Sequence, residues 1–312
     1  MKPNPHATSS ASVAAMPPPW RLCIVLLLGA TLALPARAQA PEPAPSTPAR
    51  EGVDVGKKSS FAGLVPAERV EQAAQQQYLQ LRELAARKDA LAPDDFPQLV
   101  RLRVIAERII PYSYEWNDRA REWEWEVNLI GSRQINAFCM PGGKIAFYYG
   151  LLDRLQLSDD EVALVMGHEV AHALREHARA QMGKSAVTGT VLGIGAALLG
   201  LGSGGRYLAD MGNQLLTLKF SRDDETEADL VGMELAARAG YDPRAGITLW
   251  QKMSAASKGA PPEWISTHPS GGSRIKEIES NLAKVTPLYE RAEKPTEHFA
   301  PPRLASAASA AD

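Results

Sequence analysis

Between residues 167 and 177 the chain reads GHEVAHALREH, three histidines and two glutamates set among good helix formers. On a helix turning about 100° per residue, His168 and His172 stand about 40° apart on one face and can converge on one ion. His177 falls about 180° from His168 and lies outside that pair. Glu169 follows the first histidine directly, where its carboxylate can reach a water held by the ion. This is the His-Glu-x-x-His arrangement. Zinc is the expected ion, because neutral imidazole and carboxylate suit it and a catalytic site keeps one position open. Apolar Val165, Val170, Ala171 and Ala173 flank the pair, as they would in a helix buried at a site rather than bathed in solvent.

A catalytic zinc of this kind needs a third protein ligand. The stretch SRDDETEADLVG (221–232) offers Asp223, Asp224, Glu225, Glu227 and Asp229 on one expected helix. Glu225 and Asp229 share a face, so one can bind the ion while the other accepts a hydrogen bond from a ligand histidine's outer nitrogen. Glu227 points about 200° from Glu225 and reads as a surface charge. The bland alternative for all five acids is a solvated helix start favoured by the macrodipole; pairing with His168 and His172 favours ligands.

These side chains need elements to hold them. Good helix formers dominate from Pro66 to Lys88, with Val70, Ala73, Leu79, Leu81 and Leu84 as the apolar component, and a second helix is expected from about Asp95 to Ile110. In EWEWEVNLI (122–130) apolar and polar residues alternate, as in a half-buried strand. QINAFCMPGGKIAFYYG (134–150) reads as two short strands broken at Pro141, Gly142 and Gly143. Together these predict a small antiparallel sheet. Ser158 with Glu161 forms a capping box that opens a helix running through about Met182. Residues 223–240 form a helix ending at Gly240, the next starts with Asp242 as cap and Pro243 in its first turn, and a last one spans Ser273 to about Lys284. The fold class expected is α+β, predominantly helical, with the sheet beside the helix of His168 and His172.

The chain has 312 residues and a formal charge of −2, which gives no electrostatic reason to expect nucleic acid as a partner. Lys2 and Arg21 precede an apolar run from Leu22 to Leu34, and PARAQA (35–40) then places small residues at Ala36, Ala38 and Ala40. Basic, apolar and small in that order predict a cleavable signal peptide and a periplasmic address, since about 13 apolar residues are too few to span a bilayer. An uncleaved anchor is the alternative. Cys23 lies in that head, so Cys139 is left without an internal disulfide partner. The domains expected are 1–40 as signal, 41–65 as flexible lead-in, 66–288 as the catalytic domain and 289–312 as a disordered tail. The internal run AVTGTVLGIGAALLGL (186–201) is weakly apolar and Gly-rich. A single crossing there would place the histidines and Glu225 on opposite sides of a bilayer, and a hairpin would need about 40 residues. It reads instead as a flap beside the cleft, a peripheral contact with lipid or unfolded chains, or a buried helix.

HEVAH, the later ETEAD, the preceding NAFCMPGGK and the closing THPSGGSRI (267–275) together resemble the zinc endopeptidase family of the HtpX membrane proteases, the CAAX prenyl proteases and periplasmic members such as BepA and LoiP (metallopeptidase family forty-eight). The resemblance covers roughly residues 95 to 285. It implies a zincin-like domain of gluzincin type, with one zinc per chain on His168, His172 and Glu225, Glu169 as base and Asp229 behind a ligand. It implies further that His268 faces the metal, either to stabilise an oxyanion or to plug the vacant position in a latent state, with Arg274 as the basic residue that accompanies it. From its neighbours alone, His268 before Pro269 reads as a turn histidine. NAFCMP becomes the expected edge strand at the cleft, with Asn136, Ala137 and Phe138 pairing with an extended substrate. The function implied is hydrolysis of unfolded or misassembled envelope proteins; a zinc-binding chaperone or adaptor, or a protease gated by His268, are the alternatives. The tetratricopeptide repeats of BepA and the two long spans of HtpX have no counterpart here.

Overall fold

Ser158 and Glu161 cap each other's backbone as the sequence predicts, and helix α4 (Asp159–Leu174) follows, buried along nearly its whole length. A second capping box, Ser221 with Asp224, opens α6 (Arg222–Arg238). These two helices form the central pair, and they touch at glycines. A Cβ on Gly167 would lie 2.5 Å from the Gly232 carbonyl oxygen, and one on Gly232 would lie 2.5 Å from the His168 backbone nitrogen. Only glycine at both positions lets the backbones approach this closely, and that brings the acids of α6 to the histidines of α4.

The computed structural model describes residues 50–188, 211–212, 215–257, 263–268 and 273–302. The signal-like head, most of the 186–201 run and the end of the tail lie outside them. Around the central pair stand α1 (Ala67–Arg87), α2 (Pro97–Ile109), α3 (Tyr149–Leu155), α5 (His177–Thr188), α7 (Ala245–Ala256), the short α8 (Glu263–Thr267) and α9 (Ser273–Arg291). None of the described helices is long and apolar enough to cross a membrane.

The sheet holds β1 (Glu126–Ile130), β2 (Ala137–Met140) and β3 (Lys144–Tyr148) in the order β1-β3-β2. It is mixed, not wholly antiparallel as expected. β2 turns back onto β3 through Gly142 and Gly143, both at positive φ, whereas β1 runs parallel to β3 in the register Glu126↔Lys144 to Ile130↔Tyr148. β3 is the most deeply buried strand and takes the centre, which leaves β2 at an edge beside α4. β1 starts later than the alternation suggests. The indoles of Trp123 and Trp125 instead bind the Glu71 carboxylate and the Ala120 carbonyl.

Other elements also depart from their expected bounds or faces. On α1 the core stripe is Val70, Ala73, Ala74, Tyr78 and Ala85, while Leu79 and Leu84 are exposed. The helix expected to reach Met182 breaks at Arg175 and Glu176, with Glu176 at φ 60°, and restarts as α5. α7 begins three residues after Asp242, which accepts hydrogen bonds from the Arg244 backbone and side chain. α9 continues through Pro287 to Arg291 because Val285 and Leu288 beyond the expected end are buried in the core. The lead-in is anchored from Arg50, with Val53 and Val65 buried. Residues of the expected tail are tied down as far as Pro302, through hydrogen bonds from Phe299 to Asp159 and from Gln156 to Pro302.

Candidate metal centre

α4 presents His168 and His172 one turn apart, and their Nε2 atoms lie 3.1 Å from each other. α6 delivers Glu225, whose Oε2 is 3.7 Å from His168 Nε2 and whose Oε1 is 3.5 Å from His172 Nε2. His268, after α8, completes the group. One ligand atom from each of these four buried residues lies within 4.8 Å of the others. The two imidazoles and the carboxylate that the spacing and the resemblance singled out therefore meet.

The protonation states suit a cation. Burial lowers His168 to about 4 against the pull of Asp229, and it holds His172 and His268 well below the ordinary imidazole range. All three rings are neutral. Burial also pushes Glu225 up to about 9, opposed by Arg274, so this carboxylate lacks a sufficient positive partner. Glu225 Oε1 and His268 Nε2 are buried without a hydrogen-bond partner among the described residues. Buried polar atoms are rarely left so, and both face the same point. Two imidazole nitrogens and a carboxylate oxygen, with a further position to fill, fit zinc.

Behind the ligands, His168 Nδ1 lies 3.1 Å from Asp229 Oδ1. Arg274 clamps Asp229 with Nε and a terminal nitrogen at 2.5 and 2.6 Å, and its other terminal nitrogen donates to Glu225 Oε2 at 2.6 Å. Burial alone would raise Asp229, yet Arg274 and His168 hold it down to about 2. Arg274 thus does not accompany His268 at an oxyanion position. It lies behind Glu225 and Asp229, with its guanidinium 3.7 Å over the Trp250 ring, and it is a positioning residue.

Glu169 stands on the open side. Its Oε1 accepts from the Trp264 indole at 2.6 Å, and its Oε2 is 3.6 Å from His268 Nε2. Burial pushes its carboxyl up to about 8, partly offset by that indole. A cleft of about 250 Å³ opens over Glu169, His172 and His268, lined by Ala137 and Phe138 of β2 with the preceding Asn136, and by Leu215, Leu216, Leu218 and Phe220. Phe220 stacks on His172 at 3.9 Å between ring centroids.

Sequence reasoning set two contributors aside. His177 starts α5 rather than continuing α4, and its Nδ1 lies 2.9 Å from His172 Nδ1. Glu227, read as a surface charge, is partly buried and lies 2.9 Å from His177 Nε2 while pairing with Arg175. A helical wheel drawn through residue 177 hides His177, because the break at Glu176 resets the phase, and Glu227 escapes because its partners lie outside its own helix. Trp264 carried no signal in spacing at all.

Residues 101–282 match the profile described as Peptidase family M48. The chain is 34% identical over 197 residues to the mitochondrial metalloendopeptidase OMA1 of Schizosaccharomyces pombe, covering 62% of this chain and 56% of that protein. It is 40% identical over 156 residues to the protein of that name from Arabidopsis thaliana, covering 49% and 30%. It is also 31% identical over 170 residues to the beta-barrel assembly-enhancing protease of Escherichia coli, covering 51% and 35%. The chain therefore spans between about a third and just over half of the length of these relatives. The OMA1 proteins, named as mitochondrial, were not among the members the sequence motifs brought forward.

Proposed function

The chain belongs to peptidase family M48, and on that footing we propose that it is a zinc metalloendopeptidase that cuts unfolded or misassembled proteins of a bacterial envelope. The observation that carries the activity is the meeting of His168, His172 and Glu225 with a fixed Glu169 beside an open cleft. His168, His172 and Glu225 would hold a zinc ion, which would supply Lewis acidity to a water in the cleft. Glu169, with Oε1 held by the Trp264 indole, would take a proton from the attacking water on Oε2 and return it to the leaving amine. The β2 edge pairs with an extended substrate, in keeping with Asn136, Ala137 and Phe138 on the cleft wall. Pairing of this kind reads backbone more than side chains, which suits unfolded clients. The export-like head and the E. coli relative named for β-barrel assembly support the envelope address. Recovery of the processed chain in an osmotic-shock fraction tests it.

One observation favours a second state of the same enzyme. Thr267 Oγ1 donates to the Trp264 carbonyl, and His268 Nδ1 lies 2.9 Å from that hydroxyl and 3.1 Å from the carbonyl. The hydrogen of a neutral His268 therefore sits on Nδ1, and its Nε2 lone pair faces the ligand group. That arrangement supports a plug over an oxyanion donor.

Casein digestion by the zinc-loaded chain tests both readings. Glu169→Gln should lower the rate about 10²–10⁴-fold, the range for loss of a general base, and a chelator should abolish it. His268→Ala should raise peptide cleavage if the ring closes the site at rest. Digestion indifferent to both chelator and Glu169→Gln would remove the enzyme assignment, and a Glu169→Gln protein with full activity in cells would favour a chaperone or adaptor.

A further inference from the structure

We propose that His177 is a positioning residue for the metal centre, fixing the His172 ring through hydrogen bonds that run from His172 through His177 to Glu227, whose carboxylate forms an ion pair with Arg175. The inference rests on reading His168, His172 and Glu225 as zinc ligands. His172 points Nε2 at that group and Nδ1 the other way, 2.9 Å from His177 Nδ1. Only one hydrogen can occupy that gap. A neutral imidazole that ligates through Nε2 carries its hydrogen on Nδ1, so His172 donates and His177 accepts. His177 must then carry its own hydrogen on Nε2, which lies 2.9 Å from Glu227 Oε2 and can donate to it. Glu227 is paired in turn with Arg175, a buried guanidinium that also donates to the Gly56 carbonyl at 3.0 Å. Asp224 is the other acid near His177, 3.9 Å from Nε2. The two imidazoles thus take complementary roles, each donating toward the next group from His172 to His177 and from His177 to Glu227.

The arrangement parallels the one behind His168. There, Nδ1 meets Asp229 directly and Arg274 holds the acid. Each ligand histidine is thus backed by a carboxylate from α6 and an arginine, with one extra imidazole inserted on the His172 side. Glu225, Glu227 and Asp229 recur at every second position of α6 and each has work: one faces the ion and the other two secure its imidazoles. Phe220, stacked on His172 at an interplanar angle of 26°, fixes the plane of the ring. The bond to His177 fixes its direction within that plane. The break at Glu176 makes this bond attainable, because an unbroken helix would carry His177 about 180° from His168.

Removing the partner behind a ligand histidine commonly costs 10–100-fold in metal affinity. On the full chain, zinc affinity is measured by competition with a chromophoric chelator, the cobalt(II) absorption spectrum is recorded, and the metal-free protein is melted. His177→Phe fills the space but cannot accept, and should weaken zinc by about 10–100-fold and shift the cobalt spectrum. His177→Asn, whose amide oxygen can stand where Nδ1 stood, should stay within about threefold of wild type and keep the spectrum. Glu227→Ala reads the chain from its far end and should shift both readouts the same way by less. Wild-type affinity and spectrum in His177→Phe would overturn the proposal. So would equal losses in His177→Phe and His177→Asn that follow the melting temperature of the metal-free protein, the mark of a merely structural contact. Glu225→Ala separates the two levels: if it too binds zinc normally the zinc reading itself fails, whereas loss of zinc there with none in His177→Phe removes only the role of His177.

Discussion

Arg274 shows how a buried site decides which of two neighbouring acids keeps its charge. Glu225 and Asp229 share one face of α6, and burial disfavours the anion of each. The guanidinium forks onto Asp229 with two bonds and reaches Glu225 with one. Asp229 therefore stays ionised and orients His168, while Glu225 is left needing a cation. Removing one partner of a buried ion pair typically costs about 3–5 kcal/mol. Arg274→Met should lower the unfolding free energy of the metal-free protein by about that much and weaken zinc binding at least tenfold. Arg274→Lys should fall between, because it keeps the charge and loses the fork. Denaturant titration and chelator competition measure the two effects, and unchanged stability in Arg274→Met would refute this account. The pair His168 and His172 was legible in the sequence because both lie on one helix, whose period fixes their angle. Glu227 and Arg274 were misread because their partners sit on other elements, and no local period encodes that.

At the scale of elements, the Ser158–Glu161 capping box and the Gly142–Gly143 turn could be read directly, because their residue types match the local chemistry that forms them, whereas the Ser221–Asp224 box went unread. The parallel pairing of β1 with β3 could not, since alternation marks a strand without saying which neighbour it meets or in which direction. Nor could the break at Arg175 and Glu176, where neither glycine nor proline marks a stop. The contact of α4 with α6 is equally silent in sequence: Gly167 and Gly232 look like ordinary helix-interior glycines that lower propensity. Their function is distance. A methyl at either position meets backbone at 2.5 Å, which no rotamer change relieves. Gly232→Ala should therefore force the helices apart, at about 1–3 kcal/mol for overpacking. It should also weaken zinc binding, since Glu225 and Asp229 ride on the displaced helix. Calorimetric melting with and without zinc separates these losses, and an alanine variant with the stability and zinc increment of the parent would show that close approach is not needed.

Across the described residues, the parts of both flanks from Arg50 and up to Pro302 are tied to the helical body that carries the site. Composition records how a segment would behave alone, not what waits for it on the folded surface. Glu234 on α6 is fully buried, and its carboxylate accepts from Arg50 at 2.5 Å, from the Val53 backbone at 2.8 Å and from Arg238 at 2.8 Å. Gly52, at φ 114°, turns the chain around that carboxylate so tightly that a Cβ would lie 2.1 Å from an oxygen. A chain shortened to begin at Ser60 would leave Glu234 with Arg238 alone and strip Val53 from the core. The loss should be about 2–4 kcal/mol, since an under-paired buried charge adds to the lost burial. The melting temperature should then fall by roughly 5–15 °C. If the clamp on Glu234 is the cause, the same shortening in a Glu234→Leu background should cost less than half as much, because the two changes then share one interaction. Equal losses in both backgrounds would assign the effect to Val53 and the apolar contacts instead, and no loss in either would mean that residues 50–59 contribute nothing to holding α6 in place.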